Sequence, residues 1–221
     1  MTTAIIVAAG RSTRMGTGID KAFLSLVNKP VLAWSLLAFE RCADIDRIVL
    51  VVRKDQVMAS KAVVKMFGIS KMDKIVAGGA RRQDSVKAGL EACELDTRFV
   101  LVHDGARPCI TPEAISEVVA AVKRTPAVTL AHRVTDTLKI VPKGTIVTGT
   151  EDRSKLWAAQ TPQAFQIGVL RKAYAALKDE VSDDCQAVEL AGEQVRVVES
   201  NRPNFKITTP EDLQLAAALL K

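Results

Sequence analysis

Ile5-Ile6-Val7-Ala8-Ala9-Gly10-Arg11-Ser12-Thr13-Arg14-Met15-Gly16 opens the chain with an apolar run that ends in small residues, glycines and two arginines. A short, unbroken Val/Ile run suits a strand covered on both faces. Small side chains directly after such a strand let backbone N–H groups approach anionic oxygens, and a neighbouring arginine adds fork-shaped hydrogen bonds. The segment matches neither the G-x-G-x-x-G dinucleotide pattern nor the G-x-x-x-x-G-K-[ST] phosphate loop. Arg14 and, seven residues on, Lys21 are therefore candidates for neutralising a phosphate-rich ligand held by the loop over residues 8–21.

Working outward, further apolar runs alternate with longer amphipathic stretches, which predicts βαβ units and a mainly parallel sheet. Strands are expected over residues 4–8, 47–52, 73–76, 98–103, 127–131 and 194–198. Helices are expected over 31–42, with Pro30 at its first turn, over 85–93, opened by Gln83 or Asp84, and over 114–123 after Thr111-Pro112-Glu113. Thr209-Pro210-Glu211-Asp212 supplies an N-cap, an N1 proline and two acids to a last helix over about 210–220. The rhythm breaks between 133 and 156. There, residues 137–141 and 145–148 read as a hairpin around Pro142-Lys143-Gly144. An isolated two-stranded hairpin is marginal in water, so this arm should pack against something, most naturally a second copy of the chain.

Composition sets the limits. A chain of 221 residues can build one sizeable core, and 48% hydrophobic with 25% charged residues is ordinary for a globular protein. One domain over residues 1–221 is expected, with the arm at about 133–156. No apolar run reaches the length of a membrane span and no signal peptide is legible, so a cytoplasmic protein without a membrane partner is expected. Cys42, Cys93, Cys109 and Cys185 lack metal-ligand spacing and read as small buried hydrophobes. The formal charge of +6 is spread along the chain and aromatics are only 4%, which argues against a nucleic-acid groove and for a small polyanionic ligand.

A second chemical segment is Val102-His103-Asp104-Gly105-Ala106-Arg107-Pro108, an acid at the C-terminal end of a strand, where open α/β sheets bind ligands. Asp104 is a candidate Mg²⁺ ligand, since that ion takes one or two carboxylates and completes its shell with phosphates.

The opening loop resembles nucleotidyltransferases that activate sugar and polyol phosphates. With His103 to Pro108 the resemblance narrows to the 2-C-methyl-D-erythritol 4-phosphate cytidylyltransferase family, whose corresponding segment is His-Asp-Ala-Ala-Arg-Pro. It extends to Gly78-Gly79-Ala80-Arg81-Arg82-Gln83-Asp84-Ser85-Val86, similar to the family's Gly-Gly-x-x-Arg-x-x-Ser-Val segment. It also takes in Asp136-Thr137-Leu138-Lys139, Asp152-Arg153, Leu156-Trp157, Thr161-Pro162-Gln163 and Asn204-Phe205-Lys206-Ile207-Thr208, and so covers nearly the whole chain.

The resemblance implies a Rossmann-like, mainly parallel twisted sheet flanked by helices, with a protruding β-hairpin dimerisation arm. It implies transfer of CMP from CTP to methylerythritol phosphate, with pyrophosphate released and Mg²⁺ or another divalent cation assisting. Ala8, Ala9, Gly10, Gly79, Ala80, Ser85 and Asp104 would then border CTP. Arg14, Lys21, Arg153 and Lys206 would be catalytic, while Arg107, Thr137, Arg153, Thr161 and Lys206 would hold the acceptor. In such a homodimer each arm carries Arg153 into the neighbouring site. A phosphate monoester is already ionised near neutral pH, with a second pKa of about 6, so neither His103 nor His132 needs a catalytic role. Two departures stand out: Asp20-Lys21-Ala22 where Pro-Lys-Gln is usual, and Gly105 for alanine. Rival readings are a ribitol-5-phosphate cytidylyltransferase and a nucleotide-binding protein without turnover.

Overall fold

Strand β1 (Thr2–Ala8) runs along the middle of a sheet, and its side chains divide between two cores. Ala4 and Ile6 join one hydrophobic cluster while Ile5 and Val7 join another. That split by alternate residues is what a strand buried on both faces produces. The computed structural model describes residues 1–10 and 21–220.

After a small two-stranded sheet of β2 (Ser25–Leu26) and β3 (Lys29–Pro30), the chain forms α1 (Val31–Arg41), β4 (Arg47–Val52), α2 (Val57–Met66), β5 (Met72–Ala77) and α3 (Arg82–Ala92). Next come β6 (Phe99–Asp104), α4 (Pro112–Val122) and β7 (Ala127–Arg133), then a hairpin of β8 (Lys139–Ile140) and β9 (Gly149–Thr150). The chain closes with β10 (Trp157–Gln166), α5 (Ile167–Ala176), α6 (Asp184–Leu190), β11 (Val195–Glu199) and α7 (Pro210–Leu219).

Seven strands form one sheet in the order β11-β7-β10-β6-β1-β4-β5, parallel except for β10, which runs antiparallel to both neighbours. Helices α1, α2 and α4 cover one face, and α3, α5 and α6 the other. The six expected strands are all present, with ends shifted by two residues or fewer. The chain passes from β1 outward through β4 to β5, then returns to place β6 on the other side of β1. Strand order therefore reverses between β1 and β6, and a crevice opens beyond their carboxyl ends. Register sets Val7 beside Asp104 at that crevice.

Several expectations need correction. Helix α3 begins at Arg82 rather than Ser85, because Asp84 does not open it as a cap: from inside the first turn its carboxylate accepts the Arg81 N–H at 3.1 Å. The hairpin keeps its turn glycine, Gly144 at φ +64°, but its strands are shorter and the second lies later than expected. Lys139 pairs with Thr150, so residues 145–148 belong to a wider loop. Strand β10 was not anticipated. Proline normally argues against a strand, and here Pro162 sits where the β10–β7 register shifts between Ala159 and Gln163, the kind of irregularity that tolerates it. Thr161, directly before that proline, lies within the strand.

The caps at Thr111 and Thr209 are as expected, each side chain accepting a first-turn N–H. All four cysteines are buried thiols, and burial pushes Cys93 and Cys109 up to about 11. Among the described residues no helix is long and apolar enough to cross a membrane.

Candidate active site

The crevice holds an open cavity, placed where sheets of this kind bind small molecules. Its floor is the end of β1, Val7 to Gly10, and the start of α3 with Gly79 and Ala80 before it. Ser85, Ala106 and Ala22 add small surfaces, while Lys21, Arg81, Arg82 and Lys206 add positive charge. Asp104 is the one acid among the described lining residues, so the cavity selects for an anion.

Glycine is required in the loop before α3 by close approach. A Cβ on Gly78 would sit 2.6 Å from both the Ala9 Cβ and the Ser85 Oγ, and one on Gly79 would sit 2.4 Å from the Asp84 Cβ. The loop thus packs its backbone directly against Ala9, Ser85 and Asp84, with no room for a side chain at either glycine. At Gly105 an added Cβ would lie 3.1 Å from Leu32 Cδ1 and 3.2 Å from the Ala8 Cβ, so the alanine usual in the family needs only a slight adjustment.

Asp104 closes β6 and is 7% exposed. Its Oδ2 meets Lys206 Nζ at 2.9 Å and Arg107 Nε at 3.6 Å, and its Oδ1 meets Arg82 Nε at 3.2 Å. Burial alone would raise its pKa; the charges of Arg82, Lys206 and Arg107 outweigh that and hold it well below the usual carboxylate range. Asp104 is therefore a fixed negative charge.

Beneath it, the Asp104 N–H donates to Thr161 Oγ1 at 3.0 Å, and Thr161 Oγ1 lies 3.0 Å from His103 Nδ1. The Arg107 carbonyl, 3.3 Å from His103 Nε2, can only accept, so Nε2 carries the proton of the neutral ring and Nδ1 accepts from the Thr161 hydroxyl. His103 is completely buried, and burial drives its pKa down to about 3, so it stays neutral. His103 is thus a packed, hydrogen-bonded residue at the end of β6.

The structure brings Ala8, Ala9, Gly10, Lys21, Gly79, Ala80, Ser85, Asp104 and Lys206 into one cavity. Arg107 lies just behind, its Nη1 donating to the Asn204 carbonyl at 2.8 Å. Thr161 is 4% exposed and its hydroxyl is engaged in both directions, so here it supports Asp104 and His103 from below. Thr137 and Arg153 are not among the lining residues. Both are exposed on the arm, and Arg153 donates to the Thr135 carbonyl. Arg14 falls outside the described residues. Sequence reasoning assigned no role to Arg81 or Arg82; the arginine of the Gly-Gly-x-x-Arg pattern was the available signal.

For a divalent cation, no group of three or more His, Cys, Asp or Glu side chains is suitably placed among the described residues. Asp104 alone fits an ion that arrives with a polyphosphate supplying its remaining oxygens.

A family model described as "IspD: 2-C-methyl-D-erythritol 4-phosphate cytidylyltransferase" matches residues 2–221. The chain is 42% identical over 222 residues to the 2-C-methyl-D-erythritol 4-phosphate cytidylyltransferase of Alkaliphilus metalliredigens, covering 99% of this chain and 92% of that one. It is 42% identical over 225 residues to the enzyme of the same name from Geobacter metallireducens, covering 99% and 97%. Among solved structures, 4-diphosphocytidyl-2C-methyl-D-erythritol synthase from Anaerococcus prevotii superimposes with a TM-score of 0.87 at 32% identity, covering 99% of this chain and 95% of that one. 2-C-methyl-D-erythritol 4-phosphate cytidylyltransferase from Thermus thermophilus gives 0.80 at 33%, covering 98% and 97%.

Proposed function

The chain belongs to the 2-C-methyl-D-erythritol 4-phosphate cytidylyltransferase family, and from that premise we propose how its residues divide the work of moving CMP from CTP to 2-C-methyl-D-erythritol 4-phosphate. It is a nucleotidyltransferase. The observation that carries the reading is the single cavity in which the Ala8–Gly10 and Gly79–Ser85 backbones meet Lys21, Asp104 and Lys206.

The base and ribose lie against Ala8, Ala9, Gly79, Ala80 and Ser85, where the glycine loop leaves room for a flat ring and offers backbone groups to its edge. Lys21, together with Arg14, neutralises the triphosphate. The acceptor phosphate is held by Lys206 and Arg153, and its polyol by Arg107, Thr137 and Thr161, the last acting through Asp104 and His103. An oxygen of the acceptor phosphate attacks the α-phosphorus in line, a new P–O bond forms, and pyrophosphate leaves with the electrons of the bond that breaks. The attacking group is already an anion, so no general base is needed, and catalysis comes from positioning and electrostatics. This agrees with a neutral, buried His103. A divalent cation such as Mg²⁺, held by Asp104 together with the nucleotide phosphates, would supply charge neutralisation at the leaving group.

We read residues 1–221 as one nucleotidyltransferase domain carrying the arm, acting in the cytoplasm as a homodimer, without nucleic-acid or membrane partners. The test is pyrophosphate release from each of the four nucleoside triphosphates, with methylerythritol phosphate or ribitol 5-phosphate as acceptor. CTP with methylerythritol phosphate should stand out. Preference for ribitol 5-phosphate would overturn the acceptor, and CTP binding without turnover would leave only a nucleotide-binding protein.

A further inference from the structure

Arg82 links the site's carboxylate to the far side of the fold. As the first residue of α3 it faces the cavity with a side chain 27% exposed. Its Nε donates to Asp104 Oδ1 at 3.2 Å and its Nη2 to Asp184 Oδ2 at 2.9 Å. Asp184, the first residue of α6, is fully buried, and its Oδ1 accepts the Tyr174 hydroxyl at 2.5 Å. Its main-chain N–H donates to Gln163 Oε1 at 3.1 Å, which ties it to β10 as well. Tyr174, Asp184, Arg82 and Asp104 thus form a chain of charge-assisted hydrogen bonds from α5 to the end of β6.

The charges say what this chain is for. A guanidinium between two carboxylates is already neutralised, so Arg82 adds little net attraction for a polyphosphate compared with the lysines. Its rigid fork instead fixes where both acids point. Asp104 is shared: Arg82 holds Oδ1 from within, while Lys206, 36% exposed, holds Oδ2 from the cavity side. When Lys206 turns to a substrate phosphate, Oδ2 keeps only the longer Arg107 contact at 3.6 Å, and the Arg82 hydrogen bond to Oδ1 keeps the carboxylate from following.

We propose that Arg82, anchored by Asp184 and Tyr174, is a positioning residue that holds the Asp104 carboxylate in one orientation while Lys206 exchanges it for substrate phosphate. This rests on the cytidylyl-transfer reading above.

Steady-state kinetics with CTP and methylerythritol phosphate on wild type, Arg82→Gln, Tyr174→Phe and the double variant test it. In Arg82→Gln kcat should fall about a hundredfold, the scale set by a small misplacement of reacting groups. Its KM for CTP should move less than about threefold, because an orienting contact acts on the transition state more than on ground-state binding. Tyr174→Phe keeps the ring and loses only the hydroxyl, so it should show a milder loss of kcat with the same unchanged KM. The double variant should be no worse than Arg82→Gln, since Tyr174 acts through Arg82. A raised KM with unchanged kcat would make Arg82 a nucleotide ligand and overturn the proposal, as would full turnover in Tyr174→Phe. If Arg82→Gln does not fold, Arg82→Lys, which cannot span both acids, takes its place beside Tyr174→Phe. A wild type that turns over no CTP overturns the underlying reading and this inference together; an active wild type with unaffected variants overturns the inference alone.

Discussion

His103 contributes to the site by staying uncharged, and this has a consequence for pH. Its folded pKa of about 3 lies below the ordinary histidine value of 6.5. Between those values the unfolded chain binds a proton that the folded chain refuses, so stability falls as pH drops from 6.5 towards 3. The slope is about 1.4 kcal/mol per pH unit for one such group. Asp104 is also lowered, from 3.8, so its contribution is complete above that value and is lost only at more acidic pH. The glutamates lowered from 4.5, Glu40, Glu94 and Glu113, complete their contributions by about pH 5, so the window from about pH 5 to 6.5 isolates His103. Denaturation at pH 7 and pH 5 should show the loss in wild type and a flatter dependence in His103→Asn; equal dependence in both would discard the assignment. At this scale Lys21, Asp104 and Lys206 were legible because each lies in a local segment whose residues suit phosphate chemistry. Arg82 was not, because Asp184 is 102 residues away and only the packing of α6 against the sheet brings them together.

The helices show how one substitution changes sign with its surroundings. Gly89 lies in α3 against the sheet, and a Cβ there would sit 2.5 Å from Ile5 Cγ2 and 3.1 Å from Val51 Cγ2. Ile5 and Val51 are fully buried, so neither can retreat. Gly89→Ala should therefore destabilise: overpacking costs about 1–3 kcal/mol, more than the ~1 kcal/mol of helix propensity that alanine adds. Gly168 in α5 has nothing within 4 Å of the added carbon, so Gly168→Ala should stabilise by about 0.5–1 kcal/mol. Urea midpoints for the pair should move in opposite directions, and a shared direction would mean that helix–sheet contact does not decide the outcome. The same contrast explains which elements the sequence revealed. Six strands announce themselves as Val/Ile runs, and α4 and α7 by Thr-Pro caps. Helices α2 and α5 begin at Gln56 and Gln166 without a side-chain cap, and β10 hides behind its proline. Helix α6 did carry a signal, since Asp183 caps it by accepting the Gln186 N–H, but seven residues are too few for a helical period to show.

For the whole molecule, the arm is the part whose structure a single chain does not explain. Residues 135–148 are all exposed, including Leu138, Ile140, Val141, Ile146 and Val147, the last two at 75% and 52%. A two-stranded hairpin with apolar side chains in water is marginal alone, which is the ground for proposing a second copy of the chain as its partner. Thr137 and Arg153 travel with it, outside the cavity that contains Lys206. If each arm completes the site of a twofold-related partner, two inactive variants should rescue one another. In a mixed dimer of Lys206→Ala and Arg153→Ala, one site combines the intact body of the second with the intact arm of the first, while the other site carries both lesions. Random mixing of subunits in a two-site dimer should then restore about a quarter of wild-type turnover. An arm serving its own body predicts no recovery, because every site would keep one lesion. The measurement is activity after co-refolding the two variants, with each refolded alone as the baseline; activity at that baseline would return Arg153 to its own chain.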